Sequence, residues 1–355
     1  MQPDGPRALN SADAACGGIL ECATSGTSGS PKYIRRSHLS WIASFEVNAR
    51  LFEVSPEDTY AVLGALSHSL SLYGVLEAGH VGADVCMLAG LRPDRQLGQL
   101  NERSVTMLYA TPTQLESLIA AGPEFRLARI RRVLVGGGAF RPALAEKCHG
   151  LFPHATLTPF YGASETSFIT MADDQRPAGS VGKAYPGVEI AIRSNRGQAT
   201  HELGEIWVRS PYLFCGYADP VASDTRDQDG FVTVGEFGRM DDDGNLFIAG
   251  RKSRMVTISD QNVFPDEIEN FLAAHYAAGQ LAVVSVPDAK RGHSLAVVAT
   301  AGNGKAALET AMKRCRKAHG AHRTPRHVFF VESLPQLASG KPDYVQITAW
   351  LEDQL

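Results

Sequence analysis

The stretch that decides the fold runs from residue 131 to residue 162 and reads RRVLVGGGAFRPALAEKCHGLFPHATLTPFYG. Its first part, RRVLVGGG (131–138), is a short apolar run that ends in three glycines, as is typical of a buried strand followed by a tight turn. The pattern of RPALAEKCHGLF (141–152) indicates a helix, and ATLTPFYG (155–162) is a second strand-like run. This order of strand, helix and strand is typical of an α/β domain with a parallel sheet.

Similar apolar runs occur earlier in the chain. They read YAVLGAL (60–66), ADVCMLA (83–89) and VTMLYAT (105–111). Together with the first stretch they predict an α/β fold whose large domain has a mainly parallel sheet. After about residue 181 the runs become short and are separated by Gly, Asp and Pro. These later runs read VEIAIRS (188–194), GEIWVRS (204–210), FVTVGEF (231–237) and NLFIAGR (245–251), and they predict a small antiparallel meander or barrel.

The C-terminal third has a different pattern, in which helical segments are mixed with strand-like runs. Its helical patterns are DEIENFLAAHYA (266–277) and AALETAMKRCRKA (306–318), and its strand-like runs are QLAVVSVPD (280–288), SLAVVAT (294–300) and HVFFVES (327–333). This mixture predicts a small α+β unit. We place the domain boundary at residue 250, which predicts a large domain over 1–250 and a small C-terminal lid domain over 251–355.

Composition and charge exclude several classes of function. Of the 355 residues, 44% are hydrophobic and 20% are charged, as in soluble globular proteins. Lys and Arg number 34 against 38 Asp and Glu, so the net charge of −4 gives no overall attraction to nucleic acid or to an anionic membrane. No secretion signal, membrane-spanning run or C-x-x-C pair occurs. We therefore expect a cytoplasmic protein with no membrane span and no nucleic-acid partner.

The loop ATSGTSGSPK (23–32) carries the strongest local signal for chemistry. Its small residues let backbone N–H groups approach an anion, its hydroxyls add donors, and Lys32 supplies positive charge, so it has the composition of a phosphate cradle. It is not a Walker A loop, because the pattern G-x-x-x-x-G-K-[ST] cannot be written through it. On composition alone, a flexible Ser/Gly linker is the alternative.

Four motifs in a fixed order extend the interpretation of this loop. They read SGTSGSPK (25–32), YGASE (161–165), GEFGRMDDDGNLFIAGRKSR (235–254) and LASGK (337–341). This order resembles the AMP-forming adenylating enzymes, which include acyl-CoA synthetases, adenylation domains of peptide synthetases and luciferases. The resemblance runs from about Cys22 to the C-terminus. Since most relatives have a much longer segment before the loop, the chain resembles a short member that lacks most of the N-terminal subdomain.

The resemblance implies a binding site for ATP and Mg²⁺. The phosphate loop would hold the β- and γ-phosphates of ATP, with Tyr161 against the adenine ring and Gly162 leaving room for the base. Glu165 would ligate the Mg²⁺ ion that bridges the phosphates. The loop residues assigned to the phosphates are Thr24, Ser25, Gly26, Thr27, Ser28, Gly29 and Lys32.

Further residues are assigned by the same resemblance. Gly137 and Gly138 would place bare backbone beside the nucleotide and the acyl group, although a plain strand-to-helix turn is the alternative. Glu236 stands where relatives carry the aspartate that binds the ribose hydroxyls, and Arg251 would lie near the ribose and phosphates. His68 matches a histidine at the mouth of the acyl pocket, although a packing role is equally compatible with a lone histidine.

The implied chemistry joins a carboxylate to AMP. Lys341 would be the catalytic lysine, carried by a mobile C-terminal unit that is hinged near Ser253. Its ammonium would neutralise charge as the pentavalent phosphorus forms. The resemblance gives catalytic roles to Lys32, Glu165 and His68 as well. Attack of the carboxylate oxygen on the α-phosphate then converts a poor electrophile into a mixed anhydride whose leaving group is AMP.

Three features depart from the family pattern or bear on partners. Relatives commonly carry G-G-E-N after the hinge, where this chain has Ser259 and Asp260 followed by Gln261-Asn262, so the tunnel for a pantetheine arm is expected to be narrowed or reshaped. The basic segment KRCRKAHGAHRTPRH (313–327) is either a solvated helix face or a docking patch for an acidic carrier protein or for the phosphates of coenzyme A. The short N-terminal part predicts exposed apolar surface, and therefore a homodimer or another docking partner.

The sequence therefore predicts an AMP-forming carboxylate ligase that uses ATP and Mg²⁺. It would activate an acid as acyl-adenylate and transfer the acyl group to a thiol, either coenzyme A or the phosphopantetheine of an acyl carrier protein. The candidate pocket residues are small or aromatic and uncharged, which favours an aryl or short aliphatic acid over an amino acid. The alternative is a catalytically degenerate, nucleotide-binding or scaffolding member of the same family.

Overall fold

The computed structural model describes residues 18–23, 32–173, 176–194, 197–200, 202–218, 226–276, 278–300, 304–337 and 342–354. Within these ranges the α-helices are α1 (His38–Phe52), α2 (Ser69–Val81), α3 (Pro93–Glu102), α4 (Pro112–Ala121), α5 (Pro142–Leu151), α6 (Pro265–His275), α7 (Lys305–His319) and α8 (Tyr344–Glu352). A 3-10 helix covers Lys252–Arg254.

The strands in the first half of the chain are β1 (Ile19–Ala23), β2 (Tyr33–Ser37), β3 (Thr59–Val62), β4 (Asp84–Met87), β5 (Met107–Ala110), β6 (Arg132–Val135), β7 (Thr156–Ala163), β8 (Ser167–Met171) and β9 (Lys183–Ala184). Those that follow are β10 (Glu189–Arg193), β11 (Gly204–Arg209), β12 (Gly216–Tyr217), β13 (Arg226–Gln228), β14 (Phe231–Thr233), β15 (Glu236–Met240), β16 (Leu246–Arg251), β17 (Val256–Ile258), β18 (Gln261–Val263), β19 (Leu281–Asp288), β20 (Gly292–Thr300) and β21 (His327–Val331).

The described residues form two compact units. The first takes its residues from Met1–Ala191, Trp207–Val234 and Asp242–Leu246. The second takes its residues from Ile192–Ile206, Gly235–Asp241 and Phe247–Leu355. The domain boundary that we place at residue 250 stays a prediction.

The first unit is built on a seven-stranded sheet with the order β4-β3-β5-β6-β7-β8-β9. The strands from β4 to β7 run parallel, and β8 and β9 add antiparallel partners at the other end. The five apolar runs of the sequence coincide with β3 to β7, which confirms the predicted α/β fold with a mainly parallel sheet. The runs of β3, β5 and β6 are largely apolar because both faces of the parallel sheet are covered at these strands.

Helices α3, α4 and α5 share one apolar core with this sheet. Leu97, Leu115 and Leu151 from the three helices pack there with sheet residues such as Leu108 and Val133. Helix α4 starts with a capping box, in which Thr111 and Gln114 exchange side-chain and backbone hydrogen bonds. All three helices also begin with a proline, which is a local start signal, and burial of their apolar sides holds them against the sheet.

A small antiparallel sheet in the same unit has the order β1-β2-β12. Strand β2 begins directly after Lys32, and it pairs with β1 over five residues, from Tyr33 to Ser37. On its other side, Gly216 and Tyr217 of β12 pair with β2. This sheet fixes where the end of the glycine-rich loop meets a segment that follows almost 200 residues later.

The second unit contains the sheet β19-β20-β21, in which β19 and β20 are antiparallel and β20 and β21 are parallel. Successive residues of β19 point to opposite faces, so Val283 packs with helices α6 and α7 while Val284 packs with α8. Burial on both faces explains the continuous apolar run of β19. The predicted small α+β unit is confirmed, and α8 is an element that the sequence interpretation did not include.

The short strands between residues 189 and 251 pair antiparallel where their registers are given. In the first unit, Val208 of β11 pairs with Val232 of β14. In the second unit, Gly204 and Glu205 pair with Gly238 and Phe237. Within the described ranges, no helix is both long enough and apolar enough to cross a membrane.

Candidate active site

Three glycines follow strand β6, and for two of them the local structure explains why glycine is favoured. A Cβ atom on Gly136 would overlap the ring of Phe160, which packs on the bare backbone. Gly137 has a φ angle of 80°, in the left-handed region that favours glycine. A Cβ atom on Gly138 would find ordinary contact distance, 3.5 Å, to Pro112. The contacts of Gly137 and Gly138 with a nucleotide stay predictions.

The YGASE motif lies at the hairpin of β7 and β8. The register of the two strands shifts between Tyr161 and Gly162, which is a β-bulge. A Cβ atom on Gly162 would overlap the backbone oxygen of Ser167, so no other residue fits without moving the strands. The need for glycine here is therefore set by the approach of two backbones, in addition to any room that a base requires.

Glu165 lies half-buried in the turn of this hairpin. Its Oε1 accepts a hydrogen bond of 2.7 Å from the hydroxyl of Tyr217. The Nζ atom of Lys32 lies 5.7 Å from the centroid of the same tyrosine ring, within the range of cation–π attraction. The fold thus gathers the candidate metal ligand and the candidate phosphate-binding lysine around one tyrosine, although they lie far apart in the sequence.

His68 is the N-cap residue of α2 and is half-buried. The residue after it, Ser69, accepts a hydrogen bond of 2.9 Å from the hydroxyl of Ser164. Because Ser164 directly precedes Glu165, the start of α2 lies beside the turn of the YGASE motif. The predicted role of His68 at an acyl pocket stays a prediction.

The two candidate ribose-site residues contact each other in the second unit. Glu236 on β15 is only 9% exposed, and its Oε1 accepts a hydrogen bond of 3.2 Å from Nε of Arg251 at the end of β16. The backbone N–H of Lys252 donates to the carbonyl oxygen of Gly235 at 2.8 Å, which ties the ends of the two strands together. The arginine thus holds the carboxylate by a charge-assisted hydrogen bond.

The segment after Arg251 carries the expected hinge and tunnel residues. Ser253 is exposed within the 3-10 helix. Ser259 and Asp260 form the two-residue turn between β17 and β18, with φ angles of 48° and 64°. Such a turn needs positive φ at both central positions, which is the conformation that glycine adopts at least cost. This explains physically why glycines suit this position; the narrowed tunnel stays a prediction.

Several predicted site residues lie outside the described residues. They are Thr24, Ser25, Gly26, Thr27, Ser28 and Gly29 of the loop, and the candidate catalytic Lys341. Their assignments stay predictions. The structure does describe Lys32, which follows the loop directly, and Pro342, which follows Lys341.

Sequence reasoning missed Tyr217 and a buried polar cluster around Glu77. The glycine and tyrosine of β12 look like part of any short strand, and no local pattern connects them with Glu165. Glu77 on α2 is completely buried, and its carboxylate accepts hydrogen bonds from Tyr109 at 2.6 Å and from Asn48 at 2.7 Å. Burial raises the pKa of Glu77 to about 7 against these opposing hydrogen bonds. A glutamate in an otherwise apolar helix, SLYGVLEAG, was the available signal.

Comparison with known proteins gives the family. The profile of the AMP-binding enzyme family matches residues 21–218, and that of the AMP-binding enzyme C-terminal domain matches residues 267–341. An uncharacterized acyl-CoA ligase, YhfT of Bacillus subtilis, is 34% identical over 340 residues, which cover 94% of this chain and 68% of that protein. The 3-[(3aS,4S,7aS)-7a-methyl-1,5-dioxo-octahydro-1H-inden-4-yl]propanoyl:CoA ligase of Rhodococcus jostii is 29% identical over 328 residues. The match covers 90% of this chain and 62% of that protein.

Solved structures agree with this assignment. The o-succinylbenzoate CoA synthetase MenE of Bacillus subtilis, in complex with its acyl-adenylate intermediate, superposes with a TM-score of 0.80 at 26% identity, covering 92% of this chain and 68% of that chain. The same enzyme has been solved with ATP and a magnesium ion. The amide bond synthetase McbA of Marinactinospora thermotolerans gives a TM-score of 0.81 at 28% identity, covering 94% and 69% of the two chains. The chain spans about two thirds of the length of these relatives, and it belongs to the AMP-binding enzyme family, within the AMP-forming adenylating superfamily that includes the acyl-CoA ligases.

Proposed function

We propose that this chain activates a carboxylic acid with ATP to give an acyl-adenylate and pyrophosphate, and then transfers the acyl group to coenzyme A. The observation that carries the proposal is the cluster of Glu165, Tyr217 and Lys32. It places a carboxylate and an ammonium group around one ring at the end of a loop rich in glycine and hydroxyl groups. That arrangement suits a magnesium-bound polyphosphate, because the loop offers donors and the cluster offers both charges.

The residues present fit a magnesium ion. Mg²⁺ in nucleotide sites is commonly held by one or two carboxylates together with phosphate oxygens and water. Glu165 supplies such a carboxylate, and its hydrogen bond comes from a neutral hydroxyl that leaves its negative charge in place. When bound, the ion would supply positive charge that stabilises the phosphates during displacement.

The proposed reaction has two displacement steps. In the first, a carboxylate oxygen of the acid forms a bond to the α-phosphorus, and the bond from that phosphorus to the bridging oxygen of pyrophosphate breaks. Lys32 at the phosphates and Lys341 near the α-phosphate would stabilise the added charge, and no general base is needed because the acid is already ionised. In the second, the thiol sulfur bonds to the acyl carbon, the thiol proton is released and AMP leaves.

The remaining assignments are part of the same proposal. The loop from Thr24 to Lys32 would bind phosphates, Tyr161 and Gly162 the adenine, and Glu236 with Arg251 the ribose. The relatives' names support coenzyme A as the acceptor, whereas the exposed basic residues of α7, including Arg314 and Arg316, are compatible with an acyl carrier protein.

We propose an aryl or short aliphatic acid as the substrate.

A partner protein or a second copy of the chain also stays a proposal. Strand β4 ends the seven-stranded sheet among the described strands, and its Val85 and Met87 side chains are 36% and 60% exposed. Edge strands with exposed apolar side chains favour association. Gel filtration at micromolar concentration tests this, and a clean monomer contradicts it.

Acid-dependent release of pyrophosphate from ATP and Mg²⁺ tests the proposed function. The panel contains aryl, hydroxyaryl, short-chain and amino acids, and the variants are Lys341→Ala and Glu165→Gln. Lys147→Ala on the exposed side of α5 is the matched control. We expect release with one class of acid, loss of release in both site variants and full release in the control.

Two further results separate the alternatives. Saturation with free coenzyme A and formation of its thioester support coenzyme A as acceptor, whereas activity that needs a carrier and is lost when Arg314 and Arg316 become Glu supports a carrier protein. Binding of ATP without pyrophosphate release for any acid contradicts the proposal and favours a degenerate scaffolding member.

A further inference from the structure

The segment from Phe214 to Tyr217 is fixed in place by backbone contacts on both sides. The N–H of Phe214 donates a hydrogen bond of 2.9 Å to the carbonyl oxygen of Glu165, so this segment holds the backbone of the hairpin turn. Strand β12 pairs with β2, the strand that begins directly after Lys32. Gly216 has a φ angle of 127°, which strongly favours glycine and sets the direction of the chain into Tyr217.

The side chain of Tyr217 uses both of its chemical features. Its hydroxyl donates to Oε1 of Glu165 at 2.7 Å, and its ring face lies 5.7 Å from Nζ of Lys32. The ring of Phe214 packs edge-on against it, with centroids 5.2 Å apart and an interplanar angle of 82°. The tyrosine therefore packs against a second aromatic ring while its hydroxyl contacts a carboxylate and its ring lies near an ammonium group.

A tyrosine has a specific advantage in this position. A Lys or Arg at the same distance from Glu165 would neutralise the carboxylate and compete with any cation that the carboxylate binds. A phenol hydroxyl restricts the carboxylate's orientation and keeps its charge available, since the phenol is neutral at physiological pH. The electron-rich ring face attracts the ammonium of Lys32 without contributing a charge of its own.

We propose that Tyr217 is a positioning residue, which orients the Glu165 carboxylate toward the magnesium ion and holds the Lys32 ammonium beside the phosphates. The inference rests on the proposed function, because it presupposes that this site binds ATP with magnesium. The proposed role of Tyr217 affects the equilibrium affinity for ATP, so it can be measured separately from turnover. Tyr217 acts through Glu165 and Lys32 and needs no contact of its own with the substrate.

Binding of ATP measured by calorimetry, with Mg²⁺ and with EDTA, tests the role of the hydroxyl. Tyr217→Phe keeps the ring and removes one hydrogen bond to a charged group, so we expect the affinity for ATP in Mg²⁺ to fall about tenfold. The affinity in EDTA should stay within about twofold, because the ring still faces Lys32. In a Glu165→Gln background, Tyr217→Phe should add little, because the two changes act on one contact.

Tyr212→Phe is the matched control. The hydroxyl of Tyr212 donates at 2.6 Å to the carbonyl oxygen of Pro186, so its removal also costs a short phenol hydrogen bond in the first unit. We expect this variant to bind ATP like the unmodified protein in Mg²⁺ and in EDTA. The melting temperature in EDTA is recorded for every variant to monitor the fold.

Tyr217→Trp, which also removes the phenol hydroxyl and keeps an aromatic ring face for Lys32, replaces Tyr217→Phe if that variant does not fold. The criterion is the same for either: the affinity for ATP with magnesium falls and the affinity without magnesium holds. An equal fall of both affinities, or no fall, overturns the proposal and leaves Tyr217 as a structural tie between β12 and the hairpin. If the unmodified protein binds no ATP at all, the proposed function itself fails.

Discussion

Replacement of Glu77 by Gln should remove most of a pH dependence that this buried carboxylate imposes on the fold. Glu77 is completely buried in the first unit, where Tyr109 and Asn48 donate hydrogen bonds to its two oxygens. Burial raises its pKa from the ordinary 4.5 to about 7, and the two hydrogen bonds only partly oppose this effect. The native state therefore binds the proton of Glu77 more tightly than the unfolded chain does.

The sign and the size follow from this difference in proton binding. The contribution of protonated Glu77 is fully present below pH 4.5 and is lost as the pH rises through about 7. Each pH unit between these values is worth ~1.4 kcal/mol, so the total loss in the free energy of unfolding is about 3 kcal/mol. Between pH 5.5 and pH 8.5 the loss should be about 2 kcal/mol.

Urea unfolding at pH 5.5 and pH 8.5 measures the effect. Glutamine keeps the shape and an acceptor oxygen but does not titrate, so the free energy of unfolding of Glu77→Gln relative to the unmodified protein should rise by about 2 kcal/mol between the two pH values. Glu116→Gln, on an exposed position of α4, is the control and should show no such change. A Glu77→Gln difference that is the same at both pH values would refute the reasoning.

Three other substitutions test local features of the structure. Gly162→Ala places a Cβ atom against the backbone oxygen of Ser167, so we expect a loss of about 3 kcal/mol in the free energy of unfolding, measured in urea, and an unchanged value would contradict the close approach. Ser259→Gly removes the strain of a non-glycine residue at positive φ, so it should raise the free energy of unfolding by about 1 kcal/mol. A lower free energy of unfolding in the same assay would show that the turn is not strained. Arg254→Met removes a half-buried cation that pairs with Asp266 and Glu269 and should cost about 2 kcal/mol, because both carboxylates lose their positive partner; a melting temperature within a degree of the original would count against this.

The strands and the family motifs could be predicted because their signals are local. Five apolar runs became five parallel strands, since each run of four to eight residues is itself the length of a buried strand. The motif YGASE, which includes Glu165, lies at the hairpin of β7 and β8. The positions of the loop residues 24–29 and of Lys341 stay predictions.

The candidate site could be predicted only as separate pieces. The motifs predict roles for Lys32 and Glu165, but nothing in either motif indicates that a tyrosine 52 residues after Glu165 contacts both. Ser259 and Asp260 depart from the glycines of relatives in the sequence, but their positive φ angles follow from the pairing of β17 with β18. A hydrogen-bonding partner depends on the register and packing of distant elements, which local patterns do not encode.

The amino-acid sequence by itself determined the α/β class, the mainly parallel sheet and the family, because strand periodicity, glycine placement and motif order are properties of neighbouring residues. The tertiary structure alone decided which polar groups meet. Tyr217 reaches Glu165 because β12 pairs with β2, and Glu77 reaches Tyr109 and Asn48, 32 and 29 residues away, because α1, α2 and the sheet pack together. Burial in that packed interior is also what raises the pKa of Glu77, since removal of water disfavours its charged form.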